Sequence, residues 1–277
     1  MAENGAGLEA SEMSGIRQIR AWPLFAAQFE RLGVIQEMAD SEFRFSINLL
    51  REYGAAALQN ASELLDEASL LNRNGHMARA YVLAVASIEE TGKALLAFDA
   101  QGRNLGDSAV TAKLRRAMED HSRKITAAFT AMLLATSNIR DSVMPAVELM
   151  IHLKRGREPS MYTDINSESY KVQVPAALVR DVAAKDCVRL ARDCLNHARK
   201  YIAEKKPEIR SRAEDQLFVM KSEQFQEIAN TEDFWWYYIA QLESEKRDFP
   251  AAVVEYQRDF VLRGRTFKRP DEGTGDT

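Results

Sequence analysis

The chain has no long apolar segment and no start typical of a secreted protein. Its longest mainly apolar runs, such as AFTAMLLA at 128–135, are far shorter than the roughly 20 residues that cross a bilayer. The first residues, MAENGAGLEASEMSG, lack both the basic start and the apolar run of a secretory signal. We therefore expect a disordered leader over 1–20 and no membrane association.

Cysteine is scarce, since the 277 residues include only Cys187 and Cys194. These two stand seven positions apart in a helical pattern, which places them on one face about 10 Å apart along the axis. That separation is too large for a mutual disulfide. We expect two small buried side chains and a cytoplasmic protein.

Excess positive charge is also lacking. The net charge of −4 argues against a general nucleic-acid coat protein, which is normally basic, but it is compatible with a local RNA site. Lysine and arginine are concentrated in RLARDCLNHARKYIAEKK at 189–206 and in RDFVLRGRTFKRP at 258–270. Such runs usually form the solvated face of a helix.

Helix-breaking residues are few, and their distribution predicts an all-α fold. Seven prolines and thirteen glycines leave long segments in which apolar residues recur every three or four positions. RNGH at 73–76 indicates a turn, and 156–179 indicates one long loop, in which VQVP is suited to a short extended piece. The predicted helices cover 37–72, 77–100, 108–135, about 137–154, 175–204, 208–229, 231–245 and 249–263.

Within the second predicted helix, the stretch 78–93 begins as an apolar segment and ends in the charged run EETGK. Glu89 and Lys93 are four positions apart, so we expect them to meet on one face. Gly92 lies inside the helix, where glycine costs about 1 kcal/mol relative to alanine, which indicates that another backbone approaches closely. The charges then face a polar cleft or form a buried ion network. A metal site of Glu89, Glu90 and His121 is a minor alternative, because adjacent carboxylates on a helix point about 100° apart.

A family resemblance is carried by the segment around this run. NASELLDEASLLNRNGHMARAYVLAVASIEETGKALL resembles the signature of the abortive-infection V family of bacterial phage-defence proteins. That signature is a helix with A-x-x-L-x-x-x-A, a turn, and then R-A-x-x-L-A-x-x-A-x-E-E-x-G-K-A. Ser87 stands where the pattern has alanine, and the resemblance spans about 55–200. The matching residues are Ala61, Leu64, Ala68, Arg79, Ala80, Leu83, Ala84, Glu89, Glu90, Gly92, Lys93 and Ala94, with weaker matches at His121, Lys124, Tyr162 and Asp164.

The resemblance implies a domain of the higher-eukaryote and prokaryote nucleotide-binding (HEPN) superfamily, a compact helical bundle that often dimerises. Many such domains are metal-independent ribonucleases whose motif is arginine, usually followed by a polar residue, with histidine after four to six residues. RDCLNH offers Arg192, Asp193 and His197 in this arrangement. RAMEDH, from Arg116 to His121, is an alternative, although its second residue is alanine.

The spacing of the first pair raises a geometric problem. Five positions turn a helix through about 500°, which leaves Arg192 and His197 about 140° apart, so they need a helix end, a distortion or a partner chain. Asp193, four positions before His197, is placed to orient the imidazole. We expect the catalytic set to be Arg192, Asp193, Asn196 and His197, with Glu89, Glu90, Lys93, His121 and Lys124 as a binding or structural polar cluster.

The resemblance also implies a division of the chain. We expect a HEPN-like helical bundle over 21–204, additional C-terminal helices over 205–263, and a disordered tail over 264–277. The aromatic segment FWWYY at 234–238 is expected to form an aromatic core or a docking patch.

Two functions from different classes follow. The first is an antiphage abortive-infection effector, a toxin that cleaves RNA without metal or cofactor and arrests the infected cell. A symmetric homodimer would bring two arginine–histidine pairs to one cleft. The second is a non-catalytic helical module that binds nucleotide, RNA or a protein. A phage-encoded trigger protein is a further expected partner.

Overall fold

The computed structural model describes residues 44–134, 139–246 and 248–267, and those from Phe45 onward belong to one compact unit. The leader predicted over 1–20 and most of the tail predicted over 264–277 lie outside the described residues.

The described residues form eleven α-helices, one short π-helix and one two-stranded antiparallel sheet, which confirms the all-α prediction. The α-helices are α1 (Ile47–Arg73), α2 (Met77–Ala100), α3 (Ser108–Glu119), α4 (His121–Leu134), α5 (Ile139–Met161), α6 (Pro175–Leu178), α7 (Asp181–Glu204), α8 (Arg212–Val219), α9 (Ser222–Ala229), α10 (Glu232–Glu243) and α11 (Phe249–Tyr256). The strands β1 (Asp164–Asn166) and β2 (Lys171–Gln173) lie between α5 and α6, and the π-helix (Gln257–Leu262) follows α11.

Helix α2 is the centre of the bundle, and α1, α4, α5 and α7 pack around it. Its bounds agree with the predicted 77–100, and the turn before it contains Gly75 at φ +80°, a conformation that glycine adopts without strain. Small residues let α1 approach closely, so that the Ser87 hydroxyl donates a hydrogen bond to the Ala61 carbonyl at 2.7 Å. The apolar residues of α2 are therefore buried against several neighbouring helices.

The two cysteines lie in this core, as predicted. Cys187 and Cys194 are free and buried on the face of α7 that packs against α2 and its neighbours. Burial, together with the nearby charge of Asp193, raises the pKa of the Cys194 thiol to about 12. Both side chains act as small apolar groups.

The single helix predicted over 108–135 is wrong, because the chain breaks at Asp120 into α3 and α4. Asp120 has extended backbone angles, φ −72° and ψ 114°, and its Oδ1 accepts a hydrogen bond from the Arg123 N–H at 3.0 Å. This contact starts α4 in the manner of an N-cap. Met118 and Ile125 are both buried, so apolar periodicity continues across the break and conceals it.

The helix predicted to end near 154 instead continues to Met161. Gly156 and Pro159 indicated a loop, but Pro159 lies in the last turn, where it removes only one backbone donor. A Cβ at Gly156 would stand 2.8 Å from the Tyr81 hydroxyl, so the glycine lies where α5 packs closely on α2 and not in a turn. The prediction of a short extended piece near VQVP is confirmed by β2.

Two other predicted helices are also divided. The one over 175–204 breaks between α6 and α7, and the one over 208–229 breaks between α8 and α9. In α8, the Ser211 hydroxyl accepts from the Glu214 N–H while the Glu214 carboxylate accepts from the Ser211 N–H. This capping box fixes the start of α8 at Arg212.

The helices after α7 form an apolar cluster of their own. Phe234 and Tyr237 of α10 pack with Val253 and Tyr256 of α11, which confirms an aromatic core for these members of FWWYY. Trp235 is 45% exposed.

The C-terminal helices are joined to the loop between α2 and α3. The buried Asp215 carboxylate accepts hydrogen bonds from Arg103 Nη1 at 3.0 Å and from the Asn104 N–H at 2.9 Å. The Arg210 N–H donates to the Gly102 carbonyl at 2.8 Å. No helix within the described ranges is both long enough and apolar enough to cross a membrane.

Candidate functional site

A buried carboxylate in the middle of α2 binds three basic side chains from α4 and α5. Glu89 Oε1 accepts a hydrogen bond from Arg157 Nε at 2.7 Å. Glu89 Oε2 lies 2.6 Å from His121 Nδ1 and 3.2 Å from Lys124 Nζ. We call these four residues the Glu89 cluster. It joins three helices through one side chain that is only 8% exposed.

The close approach predicted at Gly92 is what brings α4 to this carboxylate. A Cβ at position 92 would stand 1.8 Å from the Lys124 carbonyl oxygen, well inside contact distance. Glycine therefore lets the first turn of α4 lie directly on α2, one turn beyond Glu89. The break at Asp120 supplies the change of direction that α4 needs.

The Glu89 carboxylate is held in its charged form. Burial alone would raise its pKa, but the hydrogen bond from His121 and the positive charges of Lys124 and Arg157 outweigh this effect, so the pKa lies below its ordinary value. The group is therefore an acceptor at neutral pH and has no proton to give. Its role is to orient the side chains that it binds.

The imidazole of His121 is oriented by this contact. Lys124 Nζ also lies 3.3 Å from His121 Nδ1, but an ammonium group only donates, and Nδ1 cannot accept from it while donating to Glu89. We assign the Nδ1 proton to the shorter contact with Glu89. The side chain is 52% exposed, and Nε2 has no hydrogen bond to a described residue. A histidine held in this way can accept or give a proton at Nε2.

Glu90 and Lys93 form a separate pair. The predicted contact between Glu89 and Lys93 is wrong, because Lys93 Nζ binds Glu90 instead. Burial would lower the pKa of Lys93, but the hydrogen bond and charge of Glu90 more than compensate and raise it. The charged run EETGK lies in the middle of α2, and its charges divide between the Glu89 cluster and the Glu90–Lys93 pair.

The metal alternative gains no support from this geometry. Both oxygens of Glu89 already accept from cationic donors. Within the part of the chain that the structure describes, no three His, Cys, Asp or Glu side chains come together in a way that could hold a metal ion.

The predicted catalytic set lies on the surface of α7. Arg192, Asp193 and Asn196 are exposed, and His197 is half-buried. Arg192 Nη2 reaches the Ser69 hydroxyl of α1 at 3.4 Å. Among the described residues, His197 has no hydrogen bond, either to Arg192 or to Asp193. Within one chain, hydrogen bonds among the described residues therefore do not connect these four side chains.

The alternative pair is not joined either. Arg116 Nε turns back along α3 to the Ala112 carbonyl at 3.3 Å. His121 binds Glu89 on the other side of the break at Asp120.

The family model HEPN_AbiV, described as AbiV, matches residues 49–196, more than half of the chain. The chain belongs to the AbiV family. The matched range includes all of the Glu89 cluster together with Arg192, Asp193 and Asn196, and it ends one residue before His197. No curated protein and no solved structure matches the chain. Membership of the AbiV family supports a HEPN-type defence function in abortive infection.

Arg157 is the site residue of this AbiV protein that sequence analysis missed. It was assigned to a loop because Gly156 and Pro159 flank it closely. Glycine and proline both disfavour a helix, so the local sequence carries no signal for the continuation of α5 to Met161. With α5 extended to Met161, Arg157 lies on the helix that packs on α2.

Proposed function

We propose that this AbiV protein is an antiphage effector that cleaves RNA as a metal-independent HEPN ribonuclease, with Arg192 and His197 as its catalytic pair. The proposal is supported by the exposure and the hydrogen bonding of these two side chains. Arg192 is exposed, and the half-buried His197 has no hydrogen bond to a described residue, so its ring nitrogens are available to a substrate.

The chemistry requires a proton acceptor, a proton donor and a group that binds the phosphate. The 2′-hydroxyl oxygen of RNA attacks the adjacent phosphorus while its proton passes to His197. The bond from phosphorus to the 5′-oxygen then breaks, and the leaving oxygen takes up the proton that His197 now carries. Arg192 stabilises the negative charge on the phosphate oxygens. The products are a 2′,3′-cyclic phosphate and a 5′-hydroxyl.

A second protomer completes the site in this proposal. On a regular helix Arg192 and His197 point about 140° apart, and α7 is regular from Asp181 to Glu204. A two-fold axis beside α7 would bring the arginine of one protomer near the histidine of the other. Asp193 and Asn196, exposed between them, would orient the imidazole and contact the RNA.

The test is cleavage of total bacterial RNA by purified protein in EDTA. We expect cleavage by the unmodified protein and by Lys200→Ala, an exposed control on the same helix. We expect none by Arg192→Ala or His197→Ala, with all variants matched for folding by circular dichroism. Cleavage that survives in His197→Ala, or that requires an added metal, would show the proposal to be wrong.

A second candidate function is a non-catalytic module that binds a phage-encoded trigger protein. It is favoured by the lack of contact between Arg192 and His197 within one chain, and by the exposure of Trp235, Ile239 and Leu242 along α10. On this alternative, His197→Ala keeps its protection against phage. Ile239→Asp would then lose protection while leaving the bundle folded.

A further inference from the structure

Glu89 holds an arginine and a histidine from two different helices side by side. Arg157 of α5 binds Oε1, and His121 of α4 binds Oε2 of the same carboxylate. The guanidinium and the imidazole are therefore held by the two oxygens of one carboxylate. This arrangement exists within a single chain, and it does not involve α7.

Much of the hydrogen-bonding capacity of the two groups is unused. Arg157 donates only from Nε, and its Nη1 and Nη2 have no acceptor among the described residues. His121 likewise uses only Nδ1. The side chain of Arg157 is 24% exposed and that of His121 is 52% exposed, so both are in part open to solvent.

The cluster carries uncompensated positive charge. The single charge of Glu89 faces Lys124 and Arg157, even before any proton on His121 is counted. The neighbouring carboxylates are engaged elsewhere or point to solvent. Glu90 binds Lys93 and Glu119 binds Arg115, while Asp120 and Glu158 keep their charges on exposed side chains, where water and salt screen them. The ligand that such a site favours is an anion.

The remaining donors suit a phosphate group. The two Nη atoms of a guanidinium lie in one plane and bind two phosphate oxygens at once. Lys124, only 6% exposed, is a fixed charge behind the site.

A purely structural ion pair in this chain looks different. Arg103 and Asp215 are 12% and 7% exposed, and the Arg103 guanidinium also lies 3.9 Å over the Phe218 ring. The Arg103–Asp215 pair is therefore buried and covered by an aromatic ring, whereas the side chains of His121 and Arg157 are partly exposed.

We propose that His121 and Arg157 form a phosphate-binding site, with Glu89 as the positioning residue that orients both. The ligand is either a free phosphate or nucleotide, or a phosphate of an RNA backbone. The site is separate from the pair on α7, and the proposal does not require the protein to cleave RNA.

The experiment follows the His121 ring by NMR in the full chain. The chain has four histidines, so the His121 signal is assigned from its absence in His121→Gln. Inorganic phosphate, AMP and a 2′-O-methyl RNA oligonucleotide are titrated separately, since the methylated RNA cannot be cleaved at its 2′-oxygen. We expect a saturable shift of the His121 signal with inorganic phosphate and with at least one of the other two probes.

Binding by matched variants then tests whether Arg157 contributes to the site. Arg157→Ala should weaken binding of the effective probe at least tenfold. Arg155→Ala, an exposed arginine two positions away, should stay within about twofold. A response to AMP alone or to RNA alone identifies the source of the phosphate. Absence of any His121 shift, or equal binding by Arg157→Ala, overturns the proposal even if the protein cleaves RNA.

Discussion

Gly92 of α2 lies directly against the backbone of Lys124 in α4, and a Cβ at position 92 would stand 1.8 Å from the Lys124 carbonyl oxygen. A backbone atom cannot move aside as a flexible side chain does, so the two helices fit only if residue 92 has no side chain. The same approach places Lys124 and His121 at Glu89. The Glu89 cluster can therefore form only when α4 is packed on α2.

The first prediction compares two glycines in neighbouring helices. Gly92→Ala should destabilise the fold by about 3 kcal/mol or more, because α4 must move away from α2. Gly54→Ala is the control, since its Cβ would meet nothing closer than the Ala94 carbonyl oxygen at 3.6 Å. That variant should gain up to about 1 kcal/mol from the helix propensity of alanine. Urea unfolding measures both, and equal effects of the two substitutions would contradict the packing argument.

The second prediction concerns Glu89 and pH. Because the folded pKa of Glu89 lies below its ordinary value, the folded protein binds fewer protons than the unfolded chain. The stabilisation is complete above the unfolded pKa, about 4.3, and is lost as the pH falls toward the folded pKa. At pH 7, Glu89→Gln should lose about 3 kcal/mol, since it leaves Lys124 buried without its anion.

The neighbouring Glu90 provides the control for this prediction. Its carboxylate is 17% exposed and binds only Lys93, so Glu90→Gln should cost less than about 1 kcal/mol. Unfolding free energies are compared at pH 7 and near pH 4. The difference between Glu89→Gln and the unmodified protein should shrink on acidification, and a difference that stays constant with pH would mean that the carboxylate charge is not what stabilises the cluster.

Sequence analysis found the parts of this site that depend on local spacing. The bounds of α2, the turn at 73–76 and the close approach at Gly92 follow from periodicity and from the cost of an interior glycine. The partner of Glu89 did not follow, because three cationic groups from α4 and α5 compete for it and their positions depend on the break at Asp120. Arg157 did not follow either, because Gly156 and Pro159 indicate a turn locally, whereas the helix continues past both residues to Met161.

The third prediction concerns the attachment of the C-terminal helices. Asp215→Ala removes the acceptor of Arg103 Nη1 and of the Asn104 N–H, and it should destabilise the protein by about 3 kcal/mol. Hydrogen exchange should become faster in α8 while α2 stays protected. Asp99→Asn is the control, since Asp99 is 43% exposed and its pairs with Arg103 and Arg210 lie nearer to solvent. Similar losses in both variants would mean that burial of Asp215 adds nothing.

The last prediction tests whether the proposed ribonuclease site is shared between protomers. Arg192 and His197 point away from each other on α7, so we expect the arginine of one chain to act with the histidine of its partner. Arg192→Ala and His197→Ala, each inactive alone, should then recover activity when they are unfolded together and refolded as a mixture. Half of the dimers would be mixed and each would have one intact site of two, which gives roughly a quarter of the unmodified activity. Mixing without refolding is the control, and no recovery from dimers shown to be mixed would place both residues of the pair in one chain.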